Sequence, residues 1–445
     1  MFESVQETFS GVNAKFDIPA LRDAYASSNL LLCTASVRTD RMISIPLALL
    51  DTVPEGEVLY VICESRHSAR ATYEDIHYYS SPEDGVENLG VLFRARLTMD
   101  HVTHPKNRMV VVSSDYAART GLINSIRYAA VEYGESASAA TISCVIKLRE
   151  MLLSGEDMHV ALLTITPLTD PEFWKGISVT SINEKGTLVS PPSPTRLPEE
   201  SISQYASRLI RTEQSKGILV ICPTRGSADD VYGDFVSLLV SGVLPNLELQ
   251  VLPKQMHATI KQQLKEVALA NPRVLIAVGN ASGIPYTPWL DTIISLGTEN
   301  EIQYADTNRR SVQLKPISRA ALVRQQGLLP NGKGMFINLC TEAAPEERPH
   351  SAALSYLSTY LAQLNLKLAD VVTGYKPYLQ ERLGRPIGQL KQFGMITEDP
   401  DKTLHQSLDG MMSFGEVNLT IRAAVALAQA LREGILGVAF PYISL

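Results

Sequence analysis

Short apolar runs separated by helical stretches recur in two blocks along this chain, and that rhythm limits its folds more than any other feature. Leu30–Thr34, Val58–Cys63, Met109–Ser113, Tyr128–Tyr133 and His159–Ile165 have strand length and are apolar almost throughout. Alternation of such runs with helical segments predicts βαβ units and a mostly parallel sheet. Asn183–Glu200 contains four prolines and reads as a linker. The rhythm then restarts. Ile202–Thr212 and Val231–Val240 read as helical, and Gly217–Cys222, Leu247–Leu252, Arg273–Val278, Thr292–Leu296 and Met335–Leu339 as strands. Past Glu346 the pattern turns helical, over Ser351–Leu364, Pro377–Leu383, Pro386–Gln392, Thr403–Met412 and Leu419–Glu433. A wing is expected to open at Gly394-Met395-Ile396-Thr397. The domains expected are α/β over 1–185, a linker over 186–200, a second α/β unit over 201–345, and a mainly helical region over 346–445.

A chain of 445 residues suits two or three domains. With 45% hydrophobic and 20% charged residues it builds a core without disulfides or metals. Its net charge of −7 gives no global basic field, so any nucleic-acid binding would rest on a local groove. Cys33, Cys63, Cys144, Cys222 and Cys340 form no CxxC pair and mostly lie in apolar runs, which predicts buried free thiols in a reducing compartment. No histidine–cysteine spacing suggests zinc. The first residues, MFESVQETFSG, lack an apolar signal core, and no apolar run reaches membrane length. A cytoplasmic or virion-internal protein is expected, with no metal, no cofactor and no membrane contact.

Lys315–Glu342 reads KPISRAALVRQQGLLPNGKGMFINLCTE. It resembles the last motif of the second RecA-like domain in DEAH-box RNA helicases of superfamily 2. In that family Pro-Ile-Ser leads into a Gln-Arg-x-Gly-Arg-x-Gly-Arg run, then a Gly-rich turn, a strand and Thr-Glu. Here Pro316, Ile317, Ser318, Ala320, Gly327, Gly334, Leu339, Thr341 and Glu342 hold that frame. The arginines that would face the ATP γ-phosphate fall at Gln325, Leu328 and Asn331.

The resemblance runs from near Phe16 almost to the C-terminus. Pro19–Ala26 looks like the helix before the P-loop, and Asn29–Leu50 (NLLLCTASVRTDRMISIPLALL) like the P-loop itself, ending in the family's Ile-Pro at Ile45-Pro46. Ala35, Asp40, Arg41 and Met42 stand at the P-loop positions. The glycines replaced by Ala35 and Asp40 let backbone N–H groups curl around phosphate. Asp40 adds negative charge there. Arg41 keeps the lysine's charge without its compact geometry, and Met42 offers no hydroxyl to Mg²⁺.

Arg66, in Cys63–Ala71, matches the motif Ia arginine that touches the RNA backbone. Phe93-Arg94, Thr103, Pro105 and Arg108 keep the spacing of the next family segment, and Ser113 stands for the motif Ib threonine. Tyr128–Leu152 resembles the DEAH segment with Gly134-Glu135-Ser136-Ala137 in its place. The Mg²⁺-organising Asp is lost, and Glu135 matches the glutamate that polarises water. Ala161–Phe173 resembles motif III, with Thr166 keeping its last hydroxyl. Thr224 and Arg225 take the motif IV RNA contacts, whereas in motif V the RNA-binding threonine becomes Val278, with Asn280 and Ser282 nearby. Ile293–Gly297 resembles the following "VIDPG" strand without its Asp. Arg309, Arg310, Lys315, Arg319, Arg324 and Lys333 form a run with no acid between them, which reads as a basic patch or a solvated face. Gln389–Thr420 matches the winged helix and the start of a ratchet domain in outline, through Leu390, Phe393-Gly394, Leu404, Leu408-Asp409-Gly410 and Phe414.

No one of these motifs is specific alone; their order and spacing carry the resemblance. It implies two RecA-like domains and an inactive helicase relative that serves as a binding scaffold for RNA, protein or both. Candidate RNA contacts are Arg66, Ser113, Thr166, Thr224, Arg225, Arg319 and Arg324. Two other readings stand beside it. One is a divergent working helicase in which Arg41 replaces the lysine and Glu132 or Glu135 holds Mg²⁺. The other is a structural or assembly protein, homo-oligomeric and viral in origin, that uses the fold as an interface.

Overall fold

The computed structural model is described for residues 17–35, 41–79, 91–93, 108–133, 137–165, 173–184, 200–253, 256, 260–261, 263–264, 269–279, 284–285, 287–304, 310–329, 334–342, 351–369, 378–407 and 421–435. Its first sheet grows from strands that have almost no polar face. β1 (Leu30–Thr34), β2 (Leu59–Cys63), β4 (Met109–Ser113), β5 (Tyr128–Glu132) and β6 (His159–Thr164) are buried nearly end to end. Strands of this kind need helices on both sides and so pair in parallel. With β3 (Val91–Phe93) and β7 (Val179–Asn183) they form a seven-stranded sheet in the order β3-β4-β2-β5-β6-β1-β7. Each ladder in it is parallel.

The crossover helices follow from local signals. Asp17 caps α1 (Ile18–Ser27), accepting the N–H of Ala20. α2 (Arg41–Leu50) buries almost every residue and keeps Pro46 inside it. α3 (Arg66–Tyr79) and α4 (Ser114–Arg119) flank the central strands. Ser138 caps α5 (Ala139–Leu153), which is buried along most of its length. One apolar layer gathers Leu31, Ile45, Leu49, Val61 and Ile76, and the opposite layer gathers Ile62, Val112, Val131, Val145 and Leu162.

The second unit repeats the scheme. Ser201 and Gln204 form a capping box at α6 (Ile202–Arg211). β8 (Gly217–Cys222), α7 (Arg225–Val240), β9 (Glu248–Val251), β10 (Arg273–Val278) and β11 (Thr292–Ser295) follow. With β14 (Met335–Asn338) the strands make a parallel sheet ordered β14-β11-β8-β10-β9. Between β11 and β14 lie a hairpin of β12 (Thr298–Tyr304) and β13 (Arg310–Pro316), and α8 (Arg319–Gln326), capped by Ser318.

Sequence reading misses β7 and the β12–β13 hairpin. β7 is an edge strand whose exposure alternates, and the hairpin strands set single apolar residues among polar ones, so neither gives an apolar run. The hairpin also changes the expected basic patch, because Lys315 stands across the ladder from Glu299.

In the C-terminal region, α9 (Ser351–Gln363) and α10 (Tyr378–Gln392) precede a small hairpin of β15 (Ile396–Glu398) and β16 (Leu404–Gln406), where the wing was expected. α11 is Ile421–Arg432. Two helices expected around Pro386 are one, with the proline inside α10. Pro386 removes one helical N–H there, and the helix continues past it. The start of the expected helix Thr403–Met412 is instead β16, because Leu404 turns into the core opposite Glu398. α9 packs on α5, and Leu357, Leu361, Leu383, Ile387 and Leu404 join the apolar layer of the first sheet. The helical region thus shares a core with the first α/β domain. No helix among the described residues is long and apolar enough to cross a membrane.

Candidate functional site: the cleft at the first strand–loop–helix

β1 ends at Thr34, and Ala35 is fully buried with its N–H donated to the Thr164 carbonyl. Six residues later Arg41 opens α2. Its guanidinium lies 3.4 Å from Glu132 Oε1 at the end of β5. The Arg41 and Glu132 side chains are 11% and 16% exposed. Glu132 Oε2 accepts a hydrogen bond from Ser68 Oγ at 2.6 Å and from the Glu64 backbone N–H at 3.1 Å. Both carboxylate oxygens are therefore engaged, and the loop after β2 is tied to the end of β5.

Burial lowers the pKa of Arg41, and the nearby charge of Arg324 lowers it further, while Glu132 and Glu64 oppose the shift. Arg324 belongs to α8 of the second domain, so the two domains set like charges against each other here. The Arg41 Nε finds no acceptor among the described residues. Met42 packs into the apolar layer and presents no oxygen to a cation.

Two of the three positions expected to carry arginine fingers turn inward. Gln325 and Leu328 are each 1% exposed, and Leu328 belongs to the apolar cluster under the second sheet. Arg324, one residue and about 100° from Gln325 on α8, is the side chain whose charge reaches Arg41. Asp40, Gly134, Glu135, Thr166 and Asn331 lie outside the described residues. No group of three or more His, Cys, Asp or Glu that could hold a metal occurs among the described residues.

The candidate RNA contacts do not share one environment. Arg66 is half exposed and pairs with Asp115 Oδ2 at 2.9 Å. The Ser113 hydroxyl is buried and caps α4, accepting the N–H of Tyr116. Thr224 closes a capping box with Ser227 at the start of α7. Arg225 is exposed and pairs with Asp229 at 2.9 Å, a geometry that holds little energy. Arg319 is exposed and Arg324 half-buried.

Asp115 is a junction that sequence reading misses. It accepts hydrogen bonds from Arg66, from Arg119 at 2.6 Å and from the Tyr360 hydroxyl of α9. The Gln363 side-chain amide adds a bond to the Arg119 carbonyl. Burial pushes the Asp115 carboxyl up, but the Tyr360, Arg119 and Arg66 donors outweigh it and hold the pKa below the usual value. A depressed carboxyl pKa stabilises the fold above the unfolded value near ~3.9, and that contribution is lost as pH falls through the folded pKa. Asp115→Asn should therefore lower stability by about 1–3 kcal/mol at neutral pH. Urea melts over a pH series should show this gap closing in acid.

No family model matches the sequence, and no curated protein matches it. Among solved structures the fold is similar to that of the Escherichia coli DEAH/RHA helicase HrpB, with a TM-score of 0.70 and 16% identity. That likeness covers 95% of this chain and 55% of HrpB. A second structure, of the E. coli DExH-box NTPase HrpB, gives 0.66 at 16% identity, over 93% of this chain and 52% of that one. The chain thus spans about half the length of these neighbours. Its two parallel sheets, with their helices and the mainly helical region that follows, make this a helicase-like fold of two RecA-like domains.

Proposed function

We propose that this protein is a helicase-like pseudoenzyme, a scaffold that uses the two-domain fold to bind RNA, protein or both without hydrolysing a nucleotide. The observation that carries this reading is the Arg41–Glu132 pair. Arg41, at the P-loop lysine position, is paired with the protein's own carboxylate, and that carboxylate also accepts from Ser68 and the Glu64 N–H. Phosphoryl transfer depends on positioning and charge neutralisation by several parts at once. Met42 and the inward-turned Gln325 and Leu328 supply none of that chemistry. These residues do not fit an ATP–Mg²⁺ complex.

The scaffold reading is tested by fluorescence anisotropy with single-stranded RNA over a salt series, with and without ATP and Mg²⁺. Binding that weakens steeply with salt, falls on Arg66→Ala plus Arg225→Ala, and ignores ATP is the result expected of an RNA clamp. Absence of binding at low salt would remove RNA and leave a protein partner as the occupant. Binding that responds to ATP would reject the pseudoenzyme reading.

A further inference from the structure

The two RecA-like domains meet at a second point, away from the Arg41–Glu132 pair. Lys261, between β9 and β10 of the second domain, places Nζ 2.5 Å from Asp75 Oδ2 on α3 of the first. The two side chains are 14% and 13% exposed. Most ion pairs among the described residues are more open, as at Arg225–Asp229 or Arg208–Glu200. Charges this far from water have given up hydration that only a partner replaces. A buried pair spanning a domain boundary is therefore a geometry selector: the apposed state tolerates the two ions together and tolerates neither alone. The same apposition brings Arg324 towards Arg41, a repulsion that works against it.

We propose that Lys261 and Asp75 form a built-in latch that holds the two RecA-like domains together in the absence of any ligand. The latch does not depend on whether the cleft takes a nucleotide or on whether the chain binds RNA. It gives the protein one resting arrangement and so one fixed surface across both domains. Removing either partner takes away the attraction that spans the domain boundary, and opening exposes the remaining charge to water. Reversing both charges restores the attraction.

The test is small-angle X-ray scattering of the full chain without nucleotide or RNA. The variants are Asp75→Lys, Lys261→Asp and the double exchange. Circular dichroism and a cooperative melt check that the domains remain folded. Each single variant should raise the radius of gyration and broaden the pair-distance distribution, and the double exchange should return both to wild-type values. Where a charge reversal prevents folding, Asp75→Asn and Lys261→Met are read by the same criteria. Folded single variants that scatter like the wild type would overturn the latch. So would a folded double exchange that stays as extended as the single variants.

Discussion

Glu132→Ala is expected to destabilise this protein by about 3–5 kcal/mol, the range for breaking one side of a buried ion pair. The substitution leaves the Arg41 guanidinium without its carboxylate in a site where its Nε already has no acceptor among the described residues. It also removes the acceptor for the Ser68 hydroxyl and the Glu64 N–H. Glu132→Gln keeps one oxygen for those two donors and loses only the charge, so its effect should be smaller. Replacing both ions, as Arg41→Met with Glu132→Leu, should recover most of the loss, because an apolar pair needs no hydration in return. Urea melts check this through a shift in midpoint at constant slope. Wild-type stability for Glu132→Ala would mean that the carboxylate is held in reserve for a ligand and is not part of the core.

Gly297→Ala should have a comparable effect for a different reason. Gly297 joins β11 to β12 with φ +69°, in the left-handed region. A Cβ there would lie 2.1 Å from Asn338 Oδ1, 2.5 Å from Cys340 Cβ and 3.0 Å from Cys340 N. Asn338 is buried and its Oδ1 already accepts the Cys340 N–H, so it has no room to withdraw. Left-handed backbone costs an alanine roughly 1 kcal/mol, and forced overpacking about 1–3 more. Gly56 supplies the control. Its φ is +90° but a Cβ would meet nothing within 4 Å, so Gly56→Ala should show the backbone cost alone. Thermal melts of the two variants separate strain from crowding; equal losses would contradict the packing described at Gly297.

The parallel sheets were legible because their strands are apolar runs. β1, β4, β8 and β10 start and end where the sequence places them. What escaped was polar or local. β7 and the β12–β13 hairpin carry no apolar run, and β16 is too short to show a period. The site was half legible. Arg41 is found by its place after β1, but its partner lies 91 residues away, a distance across which spacing says nothing about contact. Sequence reading named Glu132 only as an alternative holder of Mg²⁺. The signal was an acid inside the apolar run Tyr128–Tyr133, a position that needs a buried cation beside it. Arg324 was placed among the RNA contacts, and its charge also reaches Arg41, which the sequence did not suggest. Asp115 and Tyr360 gave no warning, since their contact joins α4 of the first domain to a helix 245 residues further on.

Isothermal titration of the full chain with ATP and Mg²⁺ tests the central claim most directly, that the P-loop cation is answered by the protein's own Glu132. The account predicts no heat beyond dilution. Saturable binding with a dissociation constant in the micromolar range or tighter would contradict it and return the cleft to a working nucleotide site.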